Sequence, residues 1–245
     1  MSDGFFRFPR TPHLAWLGEG TPRDDKVLSR PETKTMLGSD IVAEEKIDGA
    51  NLGLSLDSTG RLRAQHRGQF LKTPYRGQFA RLTEWMALHG DDLIAHLEPG
   101  WIAFGEWCAA RHSIHYDRLP DWWILFDLYY EEDSSFATTE ARNKFGKDVG
   151  LATVIELFRG HATMASLRQL LTSTLSRYRD GPLEGIVIRS ESPIRLRARA
   201  KLVRAEFSQA IDHHWQNRHI EWNRLESAPP RQSVRGAAKG TLEQA

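Results

Sequence analysis

The segment Glu45-Lys46-Ile47-Asp48-Gly49 sets a lysine between two stretches of strand character, just ahead of an Asp-Gly turn. A lysine so placed presents an amine at the mouth of a sheet, where it can act as a nucleophile; the plainer reading is a charged hairpin. Further polar groups recur at or near the ends of apolar runs. They are Arg67 in QHRG, Glu106 in AFGEW, Asp127 after Phe126 in WILFDLY, Glu184 in EGIVIR and Lys201 in AKLVRAEF. A carboxylate in apolar company needs a partner, because desolvating an unpaired charge is costly. Asp127 interrupts an apolar strand, and Glu106 lies between Phe104 and Trp107, so each is either a ligand contact or half of a structural ion pair. Phe126, with Trp122, Trp123 and Leu125 beside it, reads equally as ordinary core.

Residues 195–204 (RLRARAKLVR) carry five cations and no acid. Arg195, Arg197, Arg199 and Lys201 fall at every second position with Leu196, Ala198, Ala200 and Leu202 between them, the period of a strand with one basic and one apolar face. Such a strand is either an edge guarded by positive charge or the cationic wall of a phosphate-binding cleft. Cys108, His112 and His115 are close in sequence, but no second ligand pair accompanies them, and a structural zinc site is not expected. Arg111 and the two histidines are expected in loops along a substrate channel.

These groups need elements to hold them. IVAEEK (41–46) and ANLGLSLD (50–57) read as two strands around the turn at Asp48-Gly49, and RLRAQHR (61–67) as a third. WIAFGEW (101–107), WWILFDLYY (122–130) and EGIVIRS (184–190) are strands rich in aromatic and β-branched residues. Gln78 to His89 has helical spacing, with Phe79, Leu82, Met86 and Leu88 as its buried face. Thr139 to Gly146, Thr163 to Arg179 and Phe207 to Glu226 read as helices. The stretch up to Gly38 reads as extended pieces and loops. The sum is an α+β chain of mainly antiparallel strands without a regular βαβ rhythm. Residues 1–226 are expected to form one domain with a C-terminal helix, which includes His213, His214 and His219, and 227–245 a disordered tail.

Of the 245 residues 40% are hydrophobic, eight of them Trp, enough for a substantial core. The net charge of +1 does not by itself announce a nucleic-acid partner. No apolar run is long enough to span a membrane, the N-terminus lacks a secretory h-region, and the single cysteine excludes an internal disulfide. A cytoplasmic protein is expected.

The ordered set Lys46-x-Asp48-Gly49, Arg67, Glu106, Phe126-Asp127, Glu184-Gly185 and Lys201 resembles the covalent nucleotidyltransferases, the polynucleotide ligases and mRNA capping enzymes. Over roughly Pro9 to Phe207 it looks most like ATP-dependent RNA ligases of the phage RNA ligase 2 type. The resemblance implies an ATP-grasp-like adenylation domain of antiparallel sheets flanked by helices, without an OB-fold domain. It implies that Lys46 attacks the α-phosphorus of ATP to form a lysyl-AMP. A lysine amine of ordinary pKa, about 10.4, is almost wholly protonated at pH 7, so Lys201, Arg67 and a bound Mg²⁺ (or Mn²⁺) are expected to lower it and to neutralise the phosphate.

By the same resemblance Glu184 holds the metal, Glu106 accepts from the ribose hydroxyls, and Phe126 and Val187 sandwich the adenine. Glu45 reads the adenine amino group, Arg67 contacts ribose or phosphate, and Asp127 belongs to the nucleotide site. Asp48 and Asn51 serve the later steps, Asn51 near the 5′-phosphate of the nucleic acid. The family usually carries a second lysine two residues after the first; here that place is Val203, and Arg199 or Arg204 is the candidate substitute. The implied substrates are ATP and RNA ends, nicked or structured, gripped by Arg195, Arg197, Arg199, Arg76 and Lys72, in RNA repair, with a separate end-healing enzyme as a candidate partner. A DNA-nick ligase, a GTP-using capping enzyme and a non-catalytic RNA-end-binding domain are the competing readings.

Overall fold

The computed structural model describes residues 4–20, 22, 26–209 and 220–226. Nine strands form two antiparallel sheets among the described residues. Helix α1 (Arg30–Met36) precedes β1 (Ile41–Lys46), β2 (Ala50–Leu56), β3 (Leu62–His66), α2 (Leu82–His96), β4 (Trp101–Trp107), β5 (Trp123–Tyr130) and the short β6 (Ser135–Phe136). Then come α3 (Thr139–Val149), β7 (Glu156–Gly160), α4 (Met164–Ser173), β8 (Gly185–Glu191), β9 (Leu196–Val203) and α5 (Ala205–Gln209). One sheet has the order β7-β1-β8-β9 and the other β3-β2-β4-β5-β6. The α+β class with antiparallel sheets flanked by helices is as the sequence suggests.

The turn after Lys46 is not a hairpin. β1 and β2 belong to different sheets, and Ile47–Gly49 is the crossing between them. Strand periodicity reports each strand separately and says nothing about which partner it takes. The crossing is tight: a Cβ on Gly49 would lie 2.5 Å from the carbonyl oxygen of Trp107, so only glycine fits this approach.

Leu52, Leu54, Trp107, Trp123 and Leu125 bury one face of the five-stranded sheet under α2 and α3. Ile41, Ala43, Ile186, Ile188, Ala200 and Leu202 bury one face of the other under α1 and α4. Those apolar faces leave the opposite faces of both sheets, with Lys46, Glu106 and Lys201, for a site.

Several element boundaries differ from expectation. α1 lies in the stretch read as loop; its capping box, Ser29 with Glu32, is complete and Pro31 stands in its first turn. On α2 the buried stripe runs Leu82, Trp85, Leu93, while Leu88 is 78% exposed; at 100° per residue Leu88 falls well off that stripe. α4 stops at Ser173, and 174–179 are not helical, because Ser176 turns away to donate to Glu45 and its amide to Gly181. β6 and β7 were not anticipated. Residues 220–226 are not helical: Trp222 and Leu225 form isolated bridges to Ala110 and Leu119. His213, His214, His219 and the tail 227–245 lie outside the described residues.

Candidate active site

Both sheets contribute to one cleft of about 700 Å³. The expected residues Glu45, Lys46, Asp48, Asn51, Arg67, Glu106, Phe126, Asp127, Val187, Arg199 and Lys201 all line it. The register explains why. Across β1 and β8, Lys46 pairs with Gly185 and Glu44 with Val187; Val187 in turn faces Lys201 on β9. In the other sheet Asn51 pairs with Glu106.

Lys46 Nζ donates to both oxygens of Glu184, at 2.6 and 2.7 Å. Burial pulls the amine down, but the fields of Glu184, Asp48 and Glu106 outweigh it and hold the lysine above its usual range. That differs from the cationic field expected at the nucleophile: in the resting site carboxylates are the nearer charges. Burial likewise raises Glu184, with Lys46 opposing. Glu106 is pushed up to about 7, first by burial, against the pull of Lys46 and with Asp48 and Glu184 adding to the rise. Its Oε1 accepts the Gly49 amide at 2.9 Å, so it is tied to backbone rather than held in a salt bridge.

Asp48 accepts from the amides of Ser113 and Ile114, at 2.8 and 3.3 Å, and its own amide donates to Tyr116 Oη. The crossing is therefore stapled to the loop 113–116. Asn51 Oδ1 is buried without a hydrogen-bond partner, an unusual state for a buried polar atom and one that a ligand in the cleft would relieve. Glu45 lines the cleft, while its carboxylate accepts from Ser176 Oγ at 2.6 Å and the Arg177 amide at 3.0 Å.

Arg199 and Arg204 separate. Arg199 lines the cleft, paired with Asp127 and with its guanidinium 4.3 Å from the Phe8 ring centroid and 4.1 Å from that of Phe136. Burial and the neighbouring Arg67 lower it to about 9. Arg204 is not among the lining residues; it donates to Glu206 and to the Leu171 carbonyl. Val203 is buried opposite Gly185, on the other side of Lys201 from Arg199. At about 3.4 Å per residue, Arg199 sits some four residues, or roughly 13 Å, along the strand from the place of the missing lysine.

A buried ionic network went unread in the sequence. Arg142 donates to Glu44 at 2.5 Å and to the Phe126 carbonyl at 2.8 Å. Arg189 donates to Asp127 at 2.6 Å, to Glu191 at 2.9 Å and to the Ala137 carbonyl. Arg142 and Arg189 are 0% and 1% exposed. Arg189 carried a signal, a charge inside the apolar run of β8, the same argument that picked out Asp127; Arg142, in the polar helix TEARNKFGKDV, carried none.

Of the channel residues, His112 lines the cleft and its Nε2 lies 2.7 Å from Gln78 Oε1. Arg111 and His115 do not reach it: they flank a smaller recess, with Arg111 on Glu221, because the chain turns outward there to meet 221–225. Arg195 pairs with Asp133 near Tyr130, away from Lys46.

Hard carboxylate oxygens beside the amine suit a hard divalent cation, which takes one or two protein carboxylates and completes its shell with phosphate and water. Among the described residues no group of three or more His, Cys, Asp or Glu forms a ready-made metal cage. Glu184, on the Lys46 amine though not itself among the cleft's lining residues, is one such carboxylate, with Asp48 and Glu106 close to the same amine. Among those residues, too, no helix is long and apolar enough to cross a membrane.

A family model described as RNA ligase matches residues 39–203. No match was found among curated proteins. An archaeal ATP-dependent RNA ligase superposes with a TM-score of 0.56 at 18% identity, covering 84% of this chain and 51% of that one. The RNA ligase of Naegleria gruberi with pyrophosphate gives 0.54 at 17%, covering 71% and 52%; a variant of it with AMP and Mn gives 0.53 at 16%, covering 73% and 54%. The chain thus spans about half the length of these structures, with which it shares a fold.

Proposed function

The chain belongs to the RNA ligase family, and from that membership we propose that it is an ATP-dependent ligase sealing 5′-phosphate and 3′-hydroxyl RNA ends through a lysyl-AMP on Lys46. The observation that carries this reading is the meeting of Lys46 with Glu184, the lysine itself lining one cleft with Glu106, Phe126 and Lys201.

Lys46 Nζ attacks the α-phosphorus of ATP, a P–N bond forms and pyrophosphate leaves. The RNA 5′-phosphate then takes the AMP, restoring the lysine and creating a 5′–5′ pyrophosphate linkage. Finally the 3′-hydroxyl attacks the RNA 5′-phosphorus and AMP departs. A divalent cation, Mg²⁺ or Mn²⁺, supplies charge neutralisation on the phosphates when bound, and Glu184 is the residue to hold it. With Glu184 so engaged, the Lys46 amine would lose its strongest anionic neighbour and its pKa would fall. Lys201 and Arg67 stand ready for the phosphate charge, Phe126 and Val187 for the purine faces, Glu106 for the ribose, and Glu45 for the base edge. Asp48 holds the nucleophile loop, and Asn51 awaits the RNA 5′-phosphate. Arg199, rather than Arg204, is the cation that reinforces Lys201 on the cleft wall, and Asp127 orients it. To the same reading belong a cytoplasmic role in RNA repair and an end-healing enzyme that acts upstream.

Incubation with α-labelled ATP and magnesium, followed by denaturing electrophoresis, tests the reading. The expected result is a labelled protein, absent in Lys46→Ala; an unlabelled wild type, or undiminished label in the variant, would refute it.

A further inference from the structure

Residues 6–14 lie outside the family-matched span 39–203, yet they run across both walls of the cleft. On the five-stranded sheet, the Phe6 carbonyl accepts from Gln65 Nε2 at 2.7 Å and the Phe6 ring stacks on Tyr129 at 3.7 Å. On the other sheet, Lys201 N donates to the Pro12 carbonyl at 2.8 Å, and Leu14 N donates to the Lys201 carbonyl at 2.7 Å. The motif lysine is thus pinned through its own backbone by the N-terminal segment. Between these anchors Phe8, 4% exposed, meets Phe126 edge-on at 5.3 Å and lies under the Arg199 guanidinium.

We propose that this segment is an integral strap of the nucleotide site and that Phe8 is a positioning residue for ATP. Phe8 fixes the ring of Phe126 and, with Phe136, clamps Arg199 in one orientation. The proposal rests on the nucleotide-cleft part of the reading above and not on the covalent step. A cation held over an aromatic face and desolvated gains appreciably from that ring. Loss of the ring leaves Arg199 and Phe126 free to reorient, which weakens nucleotide binding before it alters bond making.

The test uses the full-length chain. Phe8→Leu should raise the ATP KM for adduct formation about 5- to 10-fold, the scale of one lost cation–π and aromatic contact, with the maximal rate within about twofold, and Phe8→Tyr should restore KM. If Phe8→Leu does not fold, Phe8→Met, whose unbranched chain adapts better to an irregular core gap, takes its place. The double variant Phe8→Leu/Arg199→Lys should lose less than the sum of the two single losses, since each includes the one Phe8–Arg199 contact. An unchanged KM, a fall in rate and melting temperature at constant KM, or strictly additive losses overturn the strap. Calorimetric AMP binding separates the two ideas. A wild type that forms no adduct but binds AMP, with weaker binding in Phe8→Leu, sinks the lysyl-AMP and keeps the strap. Adduct formation with AMP affinity indifferent to Phe8 does the reverse, and a wild type that does neither overturns both.

Discussion

Lys46 and Glu184 meet where β1 pairs with β8, the amine within 2.7 Å of both carboxylate oxygens. The proposed nucleophile is therefore parked on the carboxylate proposed to hold the metal. Adenylylation by the wild type should rise with pH through the neutral and alkaline range, as a lysine held above its usual pKa gives up its proton. Glu184→Gln should lose at least about 100-fold of the label, the scale of removing a well-placed electrostatic contact to developing charge. A rate flat from pH 6 to 9 would contradict the parked amine.

Glu106 sits at about 7, raised from 4.5 chiefly by burial. Between those values the folded state binds more protons than the unfolded one, so this group's contribution to stability falls as pH rises from about 4.5 to about 7. Glu106→Gln should accordingly be more stable than wild type at pH 8, by about 1–2 kcal/mol after allowance for relaxation, and little different at pH 4. Urea denaturation at both values reads this out, alongside a loss of adduct formation. A Gln variant less stable at pH 8 would show that the carboxylate is a structural ion in its own right.

Arg142 is wholly buried against Glu44 and holds the Phe126 carbonyl. Arg142→Met should destabilise by about 3–5 kcal/mol, because it strands a buried carboxylate. Adding Glu44→Leu should recover much of that, since removing both partners is far milder than removing one. Failure of the second change to recover stability in a thermal or urea melt would assign the loss to the contact with Phe126 instead.

Arg204 donates away from the cleft and Arg199 toward it. Arg204→Ala should keep ATP KM and adduct yield within about twofold, since its contacts lie on Glu206 and Leu171 outside the cleft. Arg199→Ala should cost at least about tenfold, or 1.4 kcal/mol. Equal losses would return Arg204 to the site.

All-RNA and all-DNA nicked duplexes, compared under matched salt, distinguish the RNA-sealing reading from a DNA-nick ligase. RNA joining should dominate by at least about tenfold; equal or inverted sealing would reassign the substrate.

Much of the site was readable because its residues, in order, resemble a family pattern, and some of them also break a local rule. Glu106, Asp127 and Glu184 are charges in or beside apolar strands, and Lys46 stands at a strand end before a glycine that tolerates no Cβ. The rest was hidden for physical reasons. Whether β1 and β2 pair or part is decided by long-range packing that a three-residue turn does not encode. Arg142 sits among polar neighbours in its helix and stands out from none of them, and its partner Glu44 is one of two adjacent acids. Phe6 and Phe8 belong to an irregular segment, and an aromatic residue without periodicity names no wall to pack on.

The crossing Ile47–Gly49 has one more bearing. It is the shortest covalent path between the sheets, and the nucleophile is the residue that leads into it. That link is itself stapled to the loop 113–116, and the sheets are joined again where Arg189 and Arg199 of one reach Asp127 of the other. The amine thus stands at a joint fixed from several sides, so its aim is set by the frame and not by the lysine side chain alone.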